Sequence, residues 1–279
     1  MRETLACALH ALARIPHLHT SMSIRLAFAT VGMLLFAGTA ATDASPQSAR
    51  QLVIRGHVQQ LQLYGPADGI PVIVASGDGG WIHLGPHVAE LLARRGFFVV
   101  GFDVKAYLAG FTNDTGTLRP ADEPGDFKAL AAFASAATGR KPILIGVSEG
   151  AGLSVLAAAD PQTKAVLGGV VGLGLPDRNE LGWRWKDSLI YLTHRPPNEP
   201  AFSAATVVAG VAPLPLALLE STHDEFVPLA ETQRIFAHAA EPKRLWVIDA
   251  VNHRFSNNLP EFDAKLMEAV AWVQHNQPR

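Results

Sequence analysis

Short apolar runs alternate with segments of helical periodicity along most of the chain. The run IPVIVASGDGG is nearly continuous in apolar residues and ends in glycines, a pattern typical of a buried parallel strand. The segment after it, LGPHVAELLARRG, carries apolar residues at helical spacing and ends at Gly96. Before both, LVIRGHVQQLQLYGP alternates between apolar and polar positions as two opening strands would.

The same alternation continues to the C-terminus. Further strands are predicted in FFVVGFDV, KPILIGVS, AVLGGVVGLGLP, PLPLALLEST and KRLWVIDAV. Helices are predicted in PGDFKALAAFASAATG, EGAGLSVLAAAD, LAETQRIFAHAA and LPEFDAKLMEAVAWVQHN. Strands separated by helices of this length predict an α/β fold with a mostly parallel central sheet and helices on both faces. Ligands of such sheets bind beyond the carboxyl ends of the strands, so the loops that follow strands are where chemistry is expected.

The first 44 residues differ from the rest. From Met22 onward, a positive flank at Arg25 precedes an apolar run and then small residues, which is the pattern of a secretory signal. Cleavage is expected after Ala40, Ala41 or Ala44. We therefore predict an over-extended start, a signal peptide within residues 1–44, one domain over 45–279 and a periplasmic or secreted location. The alternative is an uncleaved anchor, although the apolar run is short for a membrane span.

Charge and cysteine content narrow the function classes. The chain has 23 basic and 25 acidic side chains, a balance that gives no broad basic surface for nucleic acid. Its one cysteine, Cys7, precedes the predicted cleavage sites. The mature protein would then have no disulfide, no thiolate nucleophile and no cysteine metal site. We expect no metal and no organic cofactor.

The motif G-x-S-x-G stands between a predicted strand and a predicted helix, in LIGVSEGAG. Such a tight turn strains Ser148 and lifts its hydroxyl clear of the sheet, and a β-carbon on Gly146 or Gly150 would collide with neighbouring backbone. The amino end of the helix adds N–H groups and partial positive charge. The motif predicts a serine nucleophile; the alternative is a glycine-rich corner with an incidental serine.

A serine nucleophile needs a base, and the base needs an orienting acid. LALLESTHDEFVP presents Asp224 after one predicted strand, and LWVIDAVNHRF presents His253 after the next. The order Ser148, Asp224, His253 is the order that this fold uses. Glu225 could replace Asp224 after a small loop shift, whereas Asp249 falls inside the strand pattern.

The loop SGDGGW follows the strand that should neighbour the strand before Ser148. Attack on a carbonyl places negative charge on its oxygen, and backbone N–H groups must stabilise it. We predict that the N–H groups of Asp78 and Glu149 do so, and that Gly77, Gly79 and Trp81 contact the substrate. A phosphate loop is the rival interpretation, but neither G-K-[ST] nor G-x-G-x-x-G is present there.

Together GVSEG, THDEFVP and NHRF resemble the α/β-hydrolase superfamily, from about residue 52 to the end of the chain. SGDGGW followed by VVGFDVKAYL resembles the bacterial virulence-protein family of VirJ and AcvB, with Gly101, Asp103 and Tyr107 in a G-x-D-x-x-x-Y motif. The resemblance implies an exported serine hydrolase that acts on aminoacylated phospholipid such as lysyl-phosphatidylglycerol. The C-terminal half is closer to dienelactone hydrolases and small esterases, and Glu149 stands where the virulence-protein family more often has a bulky residue.

Residues 177–210 interrupt the strand–helix rhythm with tryptophans, a tyrosine and prolines. We predict a small cap or lid over the pocket, in which Trp183 binds substrate; the alternative is a surface excursion packed by its own tryptophans. The predicted function is an α/β-hydrolase that cleaves a small-molecule or lipid ester through an acyl-enzyme, with peripheral membrane contact as one option. The alternatives are a catalytically silent binding module, or a peptidase or thioesterase of the same fold.

Overall fold

A computed structural model describes residues 48–189 and 199–278. The predicted signal peptide lies outside these residues, as does the middle of the predicted cap, 190–198. None of the helices in the described part of the chain is both long and apolar enough to cross a bilayer.

The strands of the described residues are β1 Ser48–Ile54, β2 His57–Tyr64, β3 Ile70–Ala75, β4 Phe97–Phe102, β5 Ile143–Val147, β6 Gly169–Leu173, β7 Arg178–Glu180, β8 Ala201–Ser203, β9 Leu216–Ser221 and β10 Lys243–Ile248. Eight of them form one sheet in the spatial order β1-β2-β4-β3-β5-β6-β9-β10. Strands β1 and β2 form an antiparallel hairpin, β2 pairs antiparallel with β4, and the remaining pairs are parallel. The two short strands β7 and β8 pair with each other outside this sheet.

Helices cover both faces of the sheet. They are α1 Leu84–Ala93, α2 Val104–Phe111, α3 Glu123–Ser135, α4 Glu149–Ala159, α5 Pro161–Lys164, α6 Ala204–Val207, α7 Leu229–His238 and α8 Leu259–His275. The alternating side chains of β3 show why two layers form: Ile73 packs in the core on one face and Val72 in the core on the other. Residues of α2, α3, α4 and α7 belong to the first core, and residues of α1 and α8 to the second.

The sequence pattern did not reveal α2. FFVVGFDV is predicted as one strand, but β4 ends at Phe102 and Asp103 caps a new helix, its Oδ1 accepting a hydrogen bond from Ala106 N at 3.0 Å. A short carboxylate that satisfies a free N–H at a helix start outweighs the strand preference of the valine beside it. The predicted order of the other main strands and helices is confirmed, and β3 and β5 are neighbours as expected.

Candidate active site

Ser148 lies at the turn between β5 and α4 with φ 50° and ψ −117°, a conformation that residues with a side chain rarely adopt. Its N–H donates to Leu173 O at 2.8 Å, which ties the turn to β6. A β-carbon on Gly146 would lie 2.2 Å from Gly150 O, and one on Gly150 would lie 2.3 Å from Ser76 O. The two glycines are therefore required for the turn that presents Ser148.

Asp224 and His253 meet at the carboxyl ends of β9 and β10. His253 Nδ1 lies 2.5 Å from Asp224 Oδ2, and the side chains are 11% and 0% exposed. The other oxygen of Asp224 accepts hydrogen bonds from Phe226 N and Val227 N, both at 2.8 Å. Burial acts to raise the pKa of Asp224, but the His253 hydrogen bond and charge, with the two backbone N–H groups, outweigh it and hold this pKa below its ordinary value.

The two other acids considered for this role have different partners. Glu225 Oε2 accepts a hydrogen bond from His253 N at 2.7 Å, so it fixes the backbone of the histidine loop. Asp249 is exposed and accepts from Thr222 Oγ1 at 3.0 Å. Neither carboxylate bonds to the imidazole ring, which leaves Asp224 as its partner.

Ser148 and His253 line the same cavity, of about 270 Å³. His253 Nε2 is buried and has no hydrogen-bond partner among the described residues, so no bond to Ser148 Oγ is formed. The ring lies close to Gly174, where a β-carbon would come within 2.5 Å of His253 Cε1. Because Asp224 engages Nδ1, the nitrogen left available for the cavity is Nε2.

The glycine-rich loop forms another part of the wall. Gly77, Asp78 and Gly79 line the cavity, together with Glu149 at the start of α4. The first N–H groups of an α-helix have no partner within the helix, so the N–H of Glu149 is oriented for an acceptor in front of the helix. A β-carbon on Gly77 would lie 3.4 Å from Ser148 Cβ, which shows how closely the loop approaches the turn.

Trp81 does not line this cavity, in contrast to its predicted contact with substrate. Its Nε1 donates to Tyr64 OH at 3.2 Å, and its ring covers Gly101, where a β-carbon would lie 2.4 Å away. The ring is held inward because it packs against the core formed with α1 and β4.

Tyr107 is the last residue of the G-x-D-x-x-x-Y motif that begins at Gly101. It is buried and donates a hydrogen bond to Asp126 Oδ2 at 2.6 Å. These motif residues support the loop and the helices behind it.

Trp183 also lies outside the cavity of Ser148, because it belongs to a separate turn. Lys105 Nζ sits 4.4 Å above its ring, and Trp183 lines a second cavity of about 360 Å³. Thr112 Oγ1 accepts a hydrogen bond from its N–H at 3.0 Å. Of the predicted cap, β7 does reach the active-site cavity, through Arg178 and Glu180.

Sequence reasoning missed the carboxyl groups that gather around Ser148. Glu149 and Glu180 line the cavity together with Asp78, and Glu149 is buried. Burial, followed by the charge of Glu180, raises the pKa of Glu149 well above its ordinary value. Deeper, Glu220 is fully buried, with Thr232 Oγ1 2.5 Å from its Oε2. Burial, more than the nearby charge of Asp224, raises the pKa of Glu220 to about 9. The sequence feature that could have indicated these carboxyl groups is the glutamate directly after Ser148, Glu149.

The family model of the bacterial virulence protein VirJ matches residues 69–177. This confirms the resemblance seen in the sequence over the part that holds the glycine-rich loop and Ser148. The match ends before Asp224 and His253. No curated protein matches the chain in sequence.

Solved structures of hydrolases match about four fifths of the chain. The 2-hydroxy-6-oxo-6-phenylhexa-2,4-dienoate hydrolase of a Rhodococcus species is 15% identical, with a TM-score of 0.58 over 80% of this chain and 98% of that one. An esterase of Pyrococcus furiosus is 17% identical, with a TM-score of 0.58 over 80% and 90%. A membrane phospholipase A, a bacterial virulence factor, is 15% identical, with a TM-score of 0.57 over 81% and 86%. At these identities the likeness establishes the fold, and the chain has the α/β-hydrolase fold.

Proposed function

We propose that this protein is a serine hydrolase that cleaves a carboxylic ester through an acyl-enzyme. The observation that carries the proposal is the Asp224–His253 pair, 2.5 Å apart, whose histidine lines the same cavity as a serine held at positive φ. An imidazole with one nitrogen bound to a buried carboxylate and the other unpartnered is prepared to accept a proton.

The reaction follows from these positions. Ser148 Oγ attacks the ester carbonyl while His253 Nε2 takes its proton, and Asp224 stabilises the imidazolium. The N–H groups of Glu149 and Asp78 stabilise the tetrahedral oxyanion. Its collapse breaks the carbon–oxygen bond, and His253 returns the proton to the leaving alcohol. Water then repeats the sequence on the acyl-enzyme. The Ser148–His253 bond forms when substrate binds, since such bonds are often open in free enzymes.

We further propose an aminoacylated phospholipid, such as lysyl-phosphatidylglycerol, as the substrate. Two observations support this choice. The VirJ family match spans the nucleophile and the glycine-rich loop. The cavity is also lined by acidic residues that a cationic aminoacyl ester would complement, namely Asp78, Glu180, Glu225 and Glu231. The N-terminal sequence supports action outside the cytoplasm, on lipid reached by peripheral contact with the membrane.

Assays of the purified protein test both the serine mechanism and the proposed substrate. The substrates are p-nitrophenyl esters of graded length, lysyl-phosphatidylglycerol and alanyl-phosphatidylglycerol. Hydrolysis of any ester that falls about 10⁴-fold or more in Ser148→Ala and in His253→Ala supports the serine mechanism. Faster hydrolysis of lysyl-phosphatidylglycerol than of alanyl-phosphatidylglycerol supports the lysyl lipid as the substrate. Turnover of a peptide or thioester alone would move the assignment to those classes, and no turnover would favour a silent binding module.

A further inference from the structure

Three carboxyl groups stand around the place where the proposed oxyanion forms. Glu149 follows Ser148 directly, Glu180 lies on β7, and Asp78 lies in the glycine-rich loop; all three line the cavity of Ser148. Glu149 is 4% exposed, and its Oε1 is buried with no hydrogen-bond partner among the described residues. The side chain is thus removed from water on the same residue whose N–H is proposed to stabilise the oxyanion.

A second negative charge at this position would oppose the reaction. Attack by Ser148 moves negative charge onto the carbonyl oxygen, and buried charges interact more strongly than charges in water. An ionised Glu149 would raise the free energy of the tetrahedral intermediate that its own N–H stabilises. A neutral carboxylic acid at the same place adds no such repulsion.

We propose that Glu149 acts as a neutral carboxylic acid whose proton is donated in a hydrogen bond to Glu180, and that catalysis requires this proton. The inference rests on the proposed function, because it assigns a tuning role around the same oxyanion. It gives the side chains of Glu149 and Glu180 an indirect role, through the charge beside the oxyanion. That role is distinct from those of the nucleophile, the base, the acid and the backbone N–H groups.

The surroundings of the pair hold the proton on Glu149. Its pKa is raised first by burial, then by the charge of Glu180 and the hydrogen bond to it, and then by the charge of Asp78. Burial also raises the pKa of Glu180, but the Glu149 hydrogen bond and the charge of Arg178 oppose that rise. Arg178 Nε lies 3.4 Å from Glu180 Oε1, which favours Glu180 as the charged member of the pair. The other charged or titratable residues of the cavity wall are His83, Glu225, Glu231, His253 and Arg254.

This arrangement predicts that kcat falls at high pH, so that the pH profile of kcat has an alkaline limb. Once the pH exceeds the pKa of Glu149, the proton is lost and kcat falls by about tenfold per pH unit. Glu149→Gln is neutral at every pH, so its alkaline limb is expected to disappear. Glu180→Gln removes the neighbouring negative charge, which lowers the pKa of Glu149 and shifts the limb to lower pH. A merely structural role would lower kcat without moving the profile.

The pH profiles of kcat for a neutral p-nitrophenyl ester test this. Glu268→Gln, a surface glutamate of α8 with a half-exposed side chain, is the matched control and is expected to keep the wild-type profile. A limb that persists in Glu149→Gln, or that stays in place in Glu180→Gln, overturns the proposal. So does a wild-type profile with no alkaline limb.

A second measurement does not need turnover. Two proteins are compared at neutral pH, the Ser148→Ala variant and the double variant that also carries Glu149→Gln. Their infrared difference spectrum should contain the carbonyl stretch of a protonated carboxylic acid, contributed by Glu149. A difference confined to carboxylate bands overturns the proposal. Because this readout is independent of activity, loss of the proposed hydrolase function and loss of the Glu149 proton are distinguishable.

Discussion

At the scale of single residues, Ser148 owes its conformation to neighbours without side chains. A β-carbon on Gly146 or Gly150 would lie 2.2–2.3 Å from a backbone carbonyl oxygen, so only glycine allows the backbone to pack this closely at these positions. Gly174 leaves room for the ring of His253 in the same way. Ser148, Asp224 and His253 were predicted from the sequence because each lies in a loop or turn that follows a strand, in the expected order. The structure adds the hydrogen bonds that orient the acid and the base.

Asp224→Asn tests the acid. The neutral amide cannot stabilise the imidazolium, so kcat is expected to fall by about 10⁴-fold, less than for Ser148→Ala, with an unchanged fold. Steady-state kinetics of the purified variant measure this. Asp249→Asn is the matched control, since its carboxylate is exposed and bonds to Thr222. A larger loss in Asp249→Asn than in Asp224→Asn would assign the acid to Asp249.

At the scale of elements, the loop after β3 is held by a contact that connects two motifs. The ring of Trp81 covers Gly101 of β4, while Asp103 caps α2 and Tyr107 of α2 bonds to Asp126. The sequence showed these residues as a motif but not what they do. Their roles depend on which strands become neighbours, and residue spacing along the chain does not contain that information. For the same reason the Glu149–Glu180 pair was missed, because β7 joins the site only through the tertiary fold.

Gly101→Ala tests the contact between loop and strand. The new β-carbon would lie 2.4 Å from the Trp81 ring, and such overpacking costs about 1–3 kcal/mol. We expect a lower free energy of unfolding in urea by that amount. Gly125→Ala, in α3 with no atom within 4 Å of the new β-carbon, is the control and should be neutral or stabilising. Equal stability of Gly101→Ala and wild type would contradict the packing role of Trp81.

At the scale of the whole molecule, the parallel sheet brings together residues that are far apart in the chain. Strands β5, β6, β9 and β10 lie side by side, so the loops that carry Ser148, Asp224 and His253 meet at one edge. The fold class followed from the alternation of strands and helices alone. Beyond the serine, acid and base, the contents of the site did not. Trp81 and Trp183 lie outside the cavity, and acidic residues lie in its wall and in the layer beneath it.

Buried neutral carboxyl groups also make the stability of the fold depend on pH. The pKa of Glu220 is about 9 in the folded protein, against an ordinary value of 4.5. The folded state therefore binds more protons than the unfolded state between these values, and the stabilisation present below pH 4.5 is lost as the pH rises toward 9. Glu220→Gln is expected to lose less stability than wild type between about pH 5 and pH 8, as measured by urea unfolding. An identical loss in both proteins would contradict this.

The proposed hydrolase activity depends on Ser148 being a nucleophile that His253 activates. The most direct measurement is the intact mass of the protein after reaction with a fluorophosphonate, followed by mapping of the modified residue. We expect one adduct on wild type, located on Ser148, none on Ser148→Ala, and much slower labelling of His253→Ala. An unlabelled wild type, or an adduct that persists in Ser148→Ala, would contradict it.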